Sequence, residues 1–277
     1  MKTAGDAKHI VICADDFGMH PGIDEAVLRL AGMNRLGATS CLVDGGSFVR
    51  NAKALSVSGL QVGLHLNFTE RLTTGSDSTA FPVSVLIARC YLRQLDEVAV
   101  RRQIVRQLDR FEAVVGRPPD FVDGHQHVHQ FPQIRQNLMA ELVRRYPHKR
   151  LWIRNTRMGR LRWTGAFRFK AGIIQRLGSA RLVRLARGAG FAVNQEFLGV
   201  YDFRGGRETY GRLLRTWFSV AGQASVLMCH PACEPDGNDV LGGQRVAEFD
   251  VLADKRTGAW LEEYDLSVGG LPVDAVP

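Results

Sequence analysis

Apolar and polar residues alternate along this chain in two kinds of segment. Short and largely apolar runs, as expected of buried parallel strands, are separated by longer segments whose apolar residues recur at helical spacing. Seven runs have the strand pattern, at residues 9–14, 38–43, 60–67, 120–123, 151–154, 196–200 and 224–229. The repeated order of strand then helix predicts a parallel sheet.

The segments between these runs predict the helices. Helical spacing covers 21–34, 48–55, 83–91, 95–115, 131–146, a basic stretch from 157 to about 190, and 210–220. Residues 68–93 otherwise show little periodicity and predict a long loop. Such a loop is often a lid or a substrate-binding segment, with a surface excursion as the alternative.

The number of strand–helix units determines the fold class that we predict. Seven or eight units in 277 residues suggest a closed or nearly closed barrel. We therefore predict a single α/β domain, a (β/α) barrel-like arrangement of seven or eight parallel strands that uses residues 1–277 as one catalytic domain.

Polar residues suited to metal binding or acid–base chemistry follow five of the predicted strands. They are Asp15 and Asp16 after the first strand, His65 at the end of the third, His125 after the fourth, Arg154 at the end of the fifth and His230 at the end of the seventh. A single histidine at such a place is commonly a capping or core residue. Because active sites of α/β barrels lie at the carboxyl ends of the strands, five converging strand ends predict a catalytic site.

Three histidines, His125, His127 and His129, fall at alternate positions after the fourth strand. If the chain stayed extended, their side chains would project to one side. Imidazole is the commonest protein ligand for a transition metal, so the pattern favours a metal site over a solvated histidine-rich loop. By itself it indicates nothing more specific.

The composition is that of a globular protein, with 45% hydrophobic and 23% charged residues. The net charge of +8 comes largely from nine arginine and lysine residues in 157–187, a stretch without an acidic residue. A basic amphipathic helix can bind nucleic acid or an anionic membrane surface. We favour a solvated outer helix instead, because no nucleic-acid-binding motif accompanies it.

Cysteine usage and hydropathy bear on the compartment. Five cysteines, an odd number with three of them in strand-like runs, fit reduced and buried thiols better than a disulfide framework. No apolar run is long enough to span a membrane. Residues 1–8 are short and polar and are not followed by a secretory apolar region, so we expect a cytoplasmic protein.

Four short motifs together resemble a known family. They are Ala14-Asp15-Asp16-Phe17-Gly18, Gly63-Leu64-His65-Leu66, the run 123–129 with Phe131-Pro132 after it, and Met228-Cys229-His230-Pro231. In this order they resemble the YdjC family of carbohydrate deacetylases, which includes chitooligosaccharide deacetylases and hopanoid-associated HpnK-like proteins. The resemblance covers nearly the whole chain.

The resemblance implies a polysaccharide-deacetylase-like fold and removal of an N-acetyl group from an amino sugar or short oligosaccharide. It implies one divalent metal ion, Mg²⁺ or Zn²⁺, with Asp16, His65 and His125 as ligands. Asp15 would be the general base and His230 the general acid. This agrees with the chemistry of amide hydrolysis, in which one carboxylate binds the metal while its neighbour accepts the proton of the attacking water. A turn with a helix N-cap is the alternative for the two aspartates.

The candidate substrate contacts are Phe17, His127, His129 and Arg154. Phe17 could stack on a sugar ring, with core packing as the alternative, and the two histidines either support the site or touch substrate. Gly124 and Asn155-Thr156 depart from residues frequent in the family, which bears on substrate choice more than on metal binding.

Two other functions stay open from the sequence. One is another metal-dependent barrel hydrolase, an amidohydrolase or a phosphoesterase; amidohydrolases usually carry His-x-His after the first strand, so this ranks second. The other is a non-catalytic polyanion-binding protein. As partners we expect an N-acetylated sugar and no nucleic acid, and a homodimer stays open.

Overall fold

The fold is seen in a computed structural model that describes residues 7–72, 80–148, 150–158 and 167–273. In these ranges the strands are β1 (Lys8–Phe17), β2 (Ala38–Cys41), β3 (Gln61–Leu66), β4 (Phe121–Gly124), β5 (Trp152–Ile153), β6 (Ala192–Val193), β7 (Glu196–Leu198), β8 (Ser225–Cys229) and β9 (Leu266–Val268). The helices are α1 (Pro21–Gly32), α2 (Phe48–Ser56), α3 (Val83–Tyr91), α4 (Glu97–Val115), α5 (Ile134–Arg145), α6 (Phe167–Arg176), α7 (Ser179–Gly188), α8 (Gly206–Val220), α9 (Gly242–Ala253) and α10 (Lys255–Glu263).

The strands form one sheet in the spatial order β6-β5-β4-β3-β2-β1-β8-β7. Each of these neighbours pairs in parallel, and β9 pairs in parallel with the first residues of β1. The eight strands curl into a half-barrel within a single α/β domain. The predicted barrel-like fold with seven or eight parallel strands is confirmed.

Side-chain amides bridge the gap between the two edges of the half-barrel. Asn194, between the edge strands β6 and β7, accepts a hydrogen bond from the Asn155 backbone N–H at 2.7 Å. Its own amide donates to the carbonyl oxygens of Asn155 and Glu196 at 2.9 and 2.8 Å. Both asparagines are buried, and their amides satisfy backbone groups that no strand ladder reaches there.

Alternating residues of each strand supply two cores, as the two faces of a pleated strand require. On β1, Ile10 and Ile12 pack outward against the helices, whereas Val11 and Cys13 face the barrel interior. The interior core includes Phe121 and Trp152, whose rings stack at 4.2 Å. A Cβ on Gly63 would lie 2.4 Å from the Phe121 ring, so β3 needs glycine at that position.

Local sequence signals place the helix ends close to the predicted positions. At α4, Asp96 accepts hydrogen bonds from the Val98 and Ala99 backbone N–H groups, and Gly116 ends the helix with φ +79°. A side-chain N-cap of this kind is worth about 1 kcal/mol, and glycine tolerates the left-handed end. The described cysteines are all free and mostly buried, as predicted.

Some expectations are corrected. The basic stretch is not one helix: α6 and α7 are separated by Leu177-Gly178, and residues 159–166 lie outside the described part. The elements β6, α9, α10 and β9 were not predicted. The 83–91 helix is confirmed, while 73–79 of the predicted loop lie outside the described residues. No helix in the described ranges has the length and apolar character that crossing a membrane requires.

Candidate active site

The strand alternation that fills the barrel interior also presents the polar residues at its carboxyl end. Three strands each place an apolar interior residue two positions before a polar one: Phe121 before Asp123, Trp152 before Arg154 and Met228 before His230. Cys13 and Asp15 on β1, and Gly63 and His65 on β3, follow the same rule. The strand pleat therefore aims these side chains at one place.

Asp16 breaks this alternation through a bulge at the end of β1. Its φ is +71°, and the register between β1 and β2 shifts between Ala14 and Phe17. In a regular strand the side chains of Asp15 and Asp16 would point to opposite faces. The bulge re-aims Asp16, so that both carboxylates line the same cavity.

Asp16, His65 and His125 form a cluster that could hold a metal ion, with one potential ligand atom of each within 4.8 Å of the others. The Asp16 Oδ1 atom lies 3.0 Å from His125 Nδ1 and 3.4 Å from His65 Nε2. Ligands about 2.1 Å from a shared ion are separated by roughly 3–4 Å, so two imidazole nitrogens and one carboxylate oxygen fit a divalent cation. These are the three residues that the resemblance implied as ligands, and their role as ligands stays a prediction.

The electrostatics of this cluster favour a charged aspartate. Burial alone would raise the pKa of Asp16, but Arg245 and His125 outweigh it and hold that pKa well below its usual range. Arg245, on α9, donates to Asp16 Oδ2 at 2.8 Å and leaves Oδ1 facing the histidines. Arg245 also binds Asp239.

A second carboxylate, Asp123, orients His65 from behind. His65 Nδ1 donates to Asp123 Oδ1 at 2.7 Å, and Ser40 donates to the same oxygen. This fixes the ring so that Nε2 faces Asp16, the arrangement found behind many metal-binding histidines. Burial would lower the pKa of His65, but the charges of Asp123 and Asp15 raise it to about 10. Metal binding must therefore displace a proton from His65.

Arg154 is fully buried and binds two carboxylates at once. Its Nη1 and Nη2 atoms donate to the two oxygens of Asp15, each at 2.6 Å, and Nη2 also lies 2.6 Å from Asp123 Oδ2. Asp15, His65 and Asp123 also lie close enough to one another to hold a metal. The guanidinium already neutralises both of those carboxylates, so we favour the Asp16 cluster.

The sequence pattern suggested that His125, His127 and His129 project to one side of an extended strand. The structure shows that they do not. They lie in a 3-10 segment, His125–Gln130, in which Gln126 and His127 have φ of +52° and +60°. His125 faces Asp16, and His127 packs edge-on against Phe197. His129 is fully buried and donates from Nε2 to the Arg154 carbonyl at 2.9 Å.

His230 follows β8, and no carboxylate of the described residues binds its ring. Its backbone N–H donates to Glu248 at 2.6 Å, and its Nδ1 atom is buried without a partner among the described residues. Burial lowers the pKa of His230 to about 4, although the charges of Asp16 and Asp15 oppose this. The ring is therefore neutral near pH 7 in the free protein.

These groups line a cavity of about 370 Å³. Six of the nine predicted site residues face it: Asp15, Asp16, His65, His125, His127 and His230. The other three, Phe17, His129 and Arg154, are fully buried and do not line it. Phe17 packs in the outer core, His129 binds the Arg154 carbonyl and Arg154 binds Asp15, so a substrate contact by any of the three stays a prediction.

The family model described as YdjC-like protein matches residues 9–263. This range contains every residue of the candidate site. The chain belongs to the YdjC-like protein family. The resemblance of the four sequence motifs to this family is confirmed.

Curated relatives of this YdjC-like protein match about half of it. A carbohydrate deacetylase of Mus musculus is 32% identical over 148 residues, which are 50% of this chain and 47% of that protein. A chitooligosaccharide deacetylase of Serratia marcescens is 33% identical over 138 residues, 46% and 53% of the two chains. The match thus spans about half the length of these curated relatives.

A solved structure shows the same fold over nearly the whole chain. It is a protein of Enterococcus faecalis V583, provisionally named a cellobiose-phosphate cleavage protein, and its TM-score is 0.70 at 20% identity. The alignment covers 96% of this chain and 98% of that one. At this identity the likeness concerns the fold alone.

Sequence reasoning missed four residues that complete the site of this YdjC-like protein: Ser40, Asp123, Arg245 and Glu248. The sequence contained a signal for Asp123, namely the strand alternation: Asp123 stands two positions after the interior residue Phe121, as His65 stands two positions after Gly63. Arg245 and Glu248 lie on α9, which was not predicted. Only the folded chain shows that they reach Asp16 and His230.

Proposed function

We propose that this protein is a metal-dependent carbohydrate deacetylase that removes an N-acetyl group from an amino sugar or short oligosaccharide. The observation that carries the proposal is the pair of neighbouring carboxylates at one cavity wall. Asp16 belongs to a cluster suited to a divalent ion, Mg²⁺ or Zn²⁺, whereas Asp15 is held by Arg154 outside that cluster. The named relatives, a carbohydrate and a chitooligosaccharide deacetylase, support the choice of substrate class.

Amide hydrolysis needs a nucleophile, a stabilised oxyanion and a proton for the leaving amine. A divalent ion at the cluster would supply Lewis-acid polarisation and would lower the pKa of a bound water. In this proposal Asp15 accepts the proton of the attacking water. A carboxylate has about four acceptor positions; Arg154 binds two and the Cys13 thiol a third, and Asp15 still lines the cavity.

His230 is the candidate for the proton transfer to the amine. Because its ring is neutral in the free protein, it must take up a proton during the reaction before it can donate one. The negative charges of Asp16 and Asp15 favour that protonated ring. Its backbone N–H bond to Glu248 holds the start of the loop after β8 in place.

The rest of the cavity wall suits a sugar that carries an acetyl group. Apolar side chains form part of it: Val83 and Ile87 from α3, Ile174 from α6, and Leu177 between α6 and α7. The rings of Phe131 and Phe203 also line the cavity and could pack on the face of a pyranose.

A cytoplasmic location and a homodimer stay predictions.

The test is acetate release from N-acetylglucosamine and its short β-linked oligomers. Purified protein is stripped with a chelator and assayed before and after Mg²⁺ or Zn²⁺ is restored. We expect release that depends on the metal, that is lost in Asp15→Asn, and that is unchanged in Asp109→Asn, an exposed aspartate away from the cavity.

A phosphate monoester assayed beside the sugars addresses the alternative barrel hydrolase. Metal-dependent phosphate release without acetate from any acetylated sugar would replace the deacetylase with a phosphoesterase. Acetate release that is equal in Asp15→Asn and in wild type would remove Asp15 from the mechanism.

A further inference from the structure

A second cavity, of about 390 Å³, is formed by the end of α3, the start of α5 and the junction of α6 with α7. Among the described residues that line it are four arginines, Arg93, Arg135, Arg176 and Arg181, and none that is acidic. It is separate from the site described above, because the two cavities share no lining residue. Two of the arginines belong to the basic 157–187 stretch.

Three of these arginines are exposed and one is buried, and the described carboxylates balance none of them. Within the described residues none of the four forms an ion pair, whereas Arg106, Arg145 and Arg154 each bind a carboxylate. Four cations around one cavity repel each other and attract an anion.

Arg135 is the buried member of this group, with only 2% of its surface exposed. One nitrogen, Nη1, donates to the Gln130 carbonyl at 2.8 Å, but Nε is buried with no partner in the described part of the chain. Burial and then the charge of Arg181 lower the pKa of Arg135. A buried guanidinium with an unused donor is costly unless an acceptor reaches it.

The amino end of α7 opens on the same cavity. Gly178 precedes this ten-residue helix with φ +129°, and no side chain caps it. A Cβ at Gly178 would lie 2.2 Å from the Gln130 carbonyl oxygen and 2.7 Å from Arg135 Nη1, so glycine lets the helix begin against the buried guanidinium. The N–H groups of a first helical turn, with the helix dipole, attract an anion.

We propose that this cavity binds one phosphate group, either as inorganic phosphate or as the phosphate of a small phosphomonoester. Phosphate matches guanidinium forks geometrically and carries enough charge to balance several of them. The cavity is concave with one buried guanidinium, which suits a single phosphate group rather than the extended backbone of a polynucleotide. Phosphate binding in this second cavity does not depend on the proposed deacetylase activity.

The test is calorimetric titration of chelator-treated protein with inorganic phosphate, with glucose 6-phosphate and with a short single-stranded oligonucleotide, at fixed ionic strength. The variant is Arg176→Gln with Arg181→Gln; its matched control is Arg184→Gln with Arg187→Gln, two arginines of α7 that do not line the cavity. All four side chains are exposed, so both double variants should fold. A His125→Ala protein reports on binding in the catalytic cavity.

We expect wild type, the control and His125→Ala to bind phosphate alike, and the Arg176/Arg181 variant to bind at least about tenfold more weakly, because it loses two charge-assisted contacts to the anion. Tighter binding of glucose 6-phosphate identifies a phosphomonoester, and tighter binding of inorganic phosphate identifies the free ion. Equal weakening in both double variants, loss in His125→Ala alone, binding of the oligonucleotide alone, or no binding by wild type would each overturn the proposal.

Discussion

Replacing Arg154 with methionine should destabilise the protein strongly. The guanidinium is fully buried and lies 2.6 Å from both oxygens of Asp15 and from one oxygen of Asp123. Methionine fills a similar volume but leaves both carboxylates buried without this cation. Asp123 keeps hydrogen bonds from His65 and Ser40, whereas Asp15 loses the group that binds both of its oxygens.

The expected loss of unfolding free energy follows from the burial of the ion pairs that Arg154 makes. Breaking a buried ion pair by removing one partner typically costs about 3–5 kcal/mol, because an uncompensated charge stays in the interior. For a chain of this size each kcal/mol shifts the melting temperature by about 2–4 °C, so we expect a decrease of roughly 6–20 °C. The matched control is Arg212→Met, whose guanidinium lies 2.7 Å from Glu208 with both side chains largely exposed. A surface pair of this kind is worth only about 0.2–1 kcal/mol.

Urea unfolding followed by circular dichroism, with thermal scans at the same pH, measures both variants against wild type. The two arginines make ion pairs of similar length, 2.6 and 2.7 Å, and differ in burial and in the number of carboxylates that they bind. If Arg154→Met and Arg212→Met lost the same free energy of unfolding, the buried charge network would not stabilise this fold, and the argument from burial would fail.

Three further predictions concern the candidate site. His65→Ala and His125→Ala should each lose the bound divalent ion, as measured by elemental analysis after dialysis; full occupancy in both would remove the Asp16 cluster as the metal site. Asp15→Asn should keep the metal and lose about 10²–10⁴-fold in turnover, because an amide cannot act as a base, and wild-type kcat in this variant would contradict that role. Burial raises the pKa of Glu248 to about 7, above its unfolded value of about 4.3, so the carboxyl stabilises the fold less as the pH rises through this window. The free energy of unfolding of wild type minus that of Glu248→Gln should therefore fall by up to about 3 kcal/mol between pH 5 and pH 8, as measured by urea unfolding; a flat difference would contradict the raised pKa.

The sequence predicted an element of the fold correctly where that element has its own hydrophobic pattern. The apolar runs placed most strands of the half-barrel, and strand ends located Asp15, Asp16, His65 and His230 at one cavity. They failed where the structure is irregular. The two-residue β6 and the three-residue β9 are too short to show periodicity of their own, whereas β5 and β7, equally short, were predicted from the longer runs 151–154 and 196–200 that contain them.

The same limit applies to the site. The alternation of the three histidines predicted an extended segment. Positive φ at Gln126 and His127 turns the chain instead, and a run of polar residues carries no sequence signal for such a turn. Arg154 was predicted to contact substrate because it ends a strand. Its two buried carboxylate partners, which decide its role, lie 139 and 31 positions away in sequence.

At the bulge that ends β1, the backbone itself fixes the spacing of Asp15 and Asp16, which is not true of the other side chains of the site. Asp15 and Asp16 are joined by a single peptide unit, so their spacing is set by bond lengths and one pair of backbone angles. His65, His125 and His230 reach the cavity from separate strands and loops, and their positions follow every change in the curvature of the sheet. Loosening of the half-barrel would thus move the histidines apart first, while the two carboxylates moved together on β1.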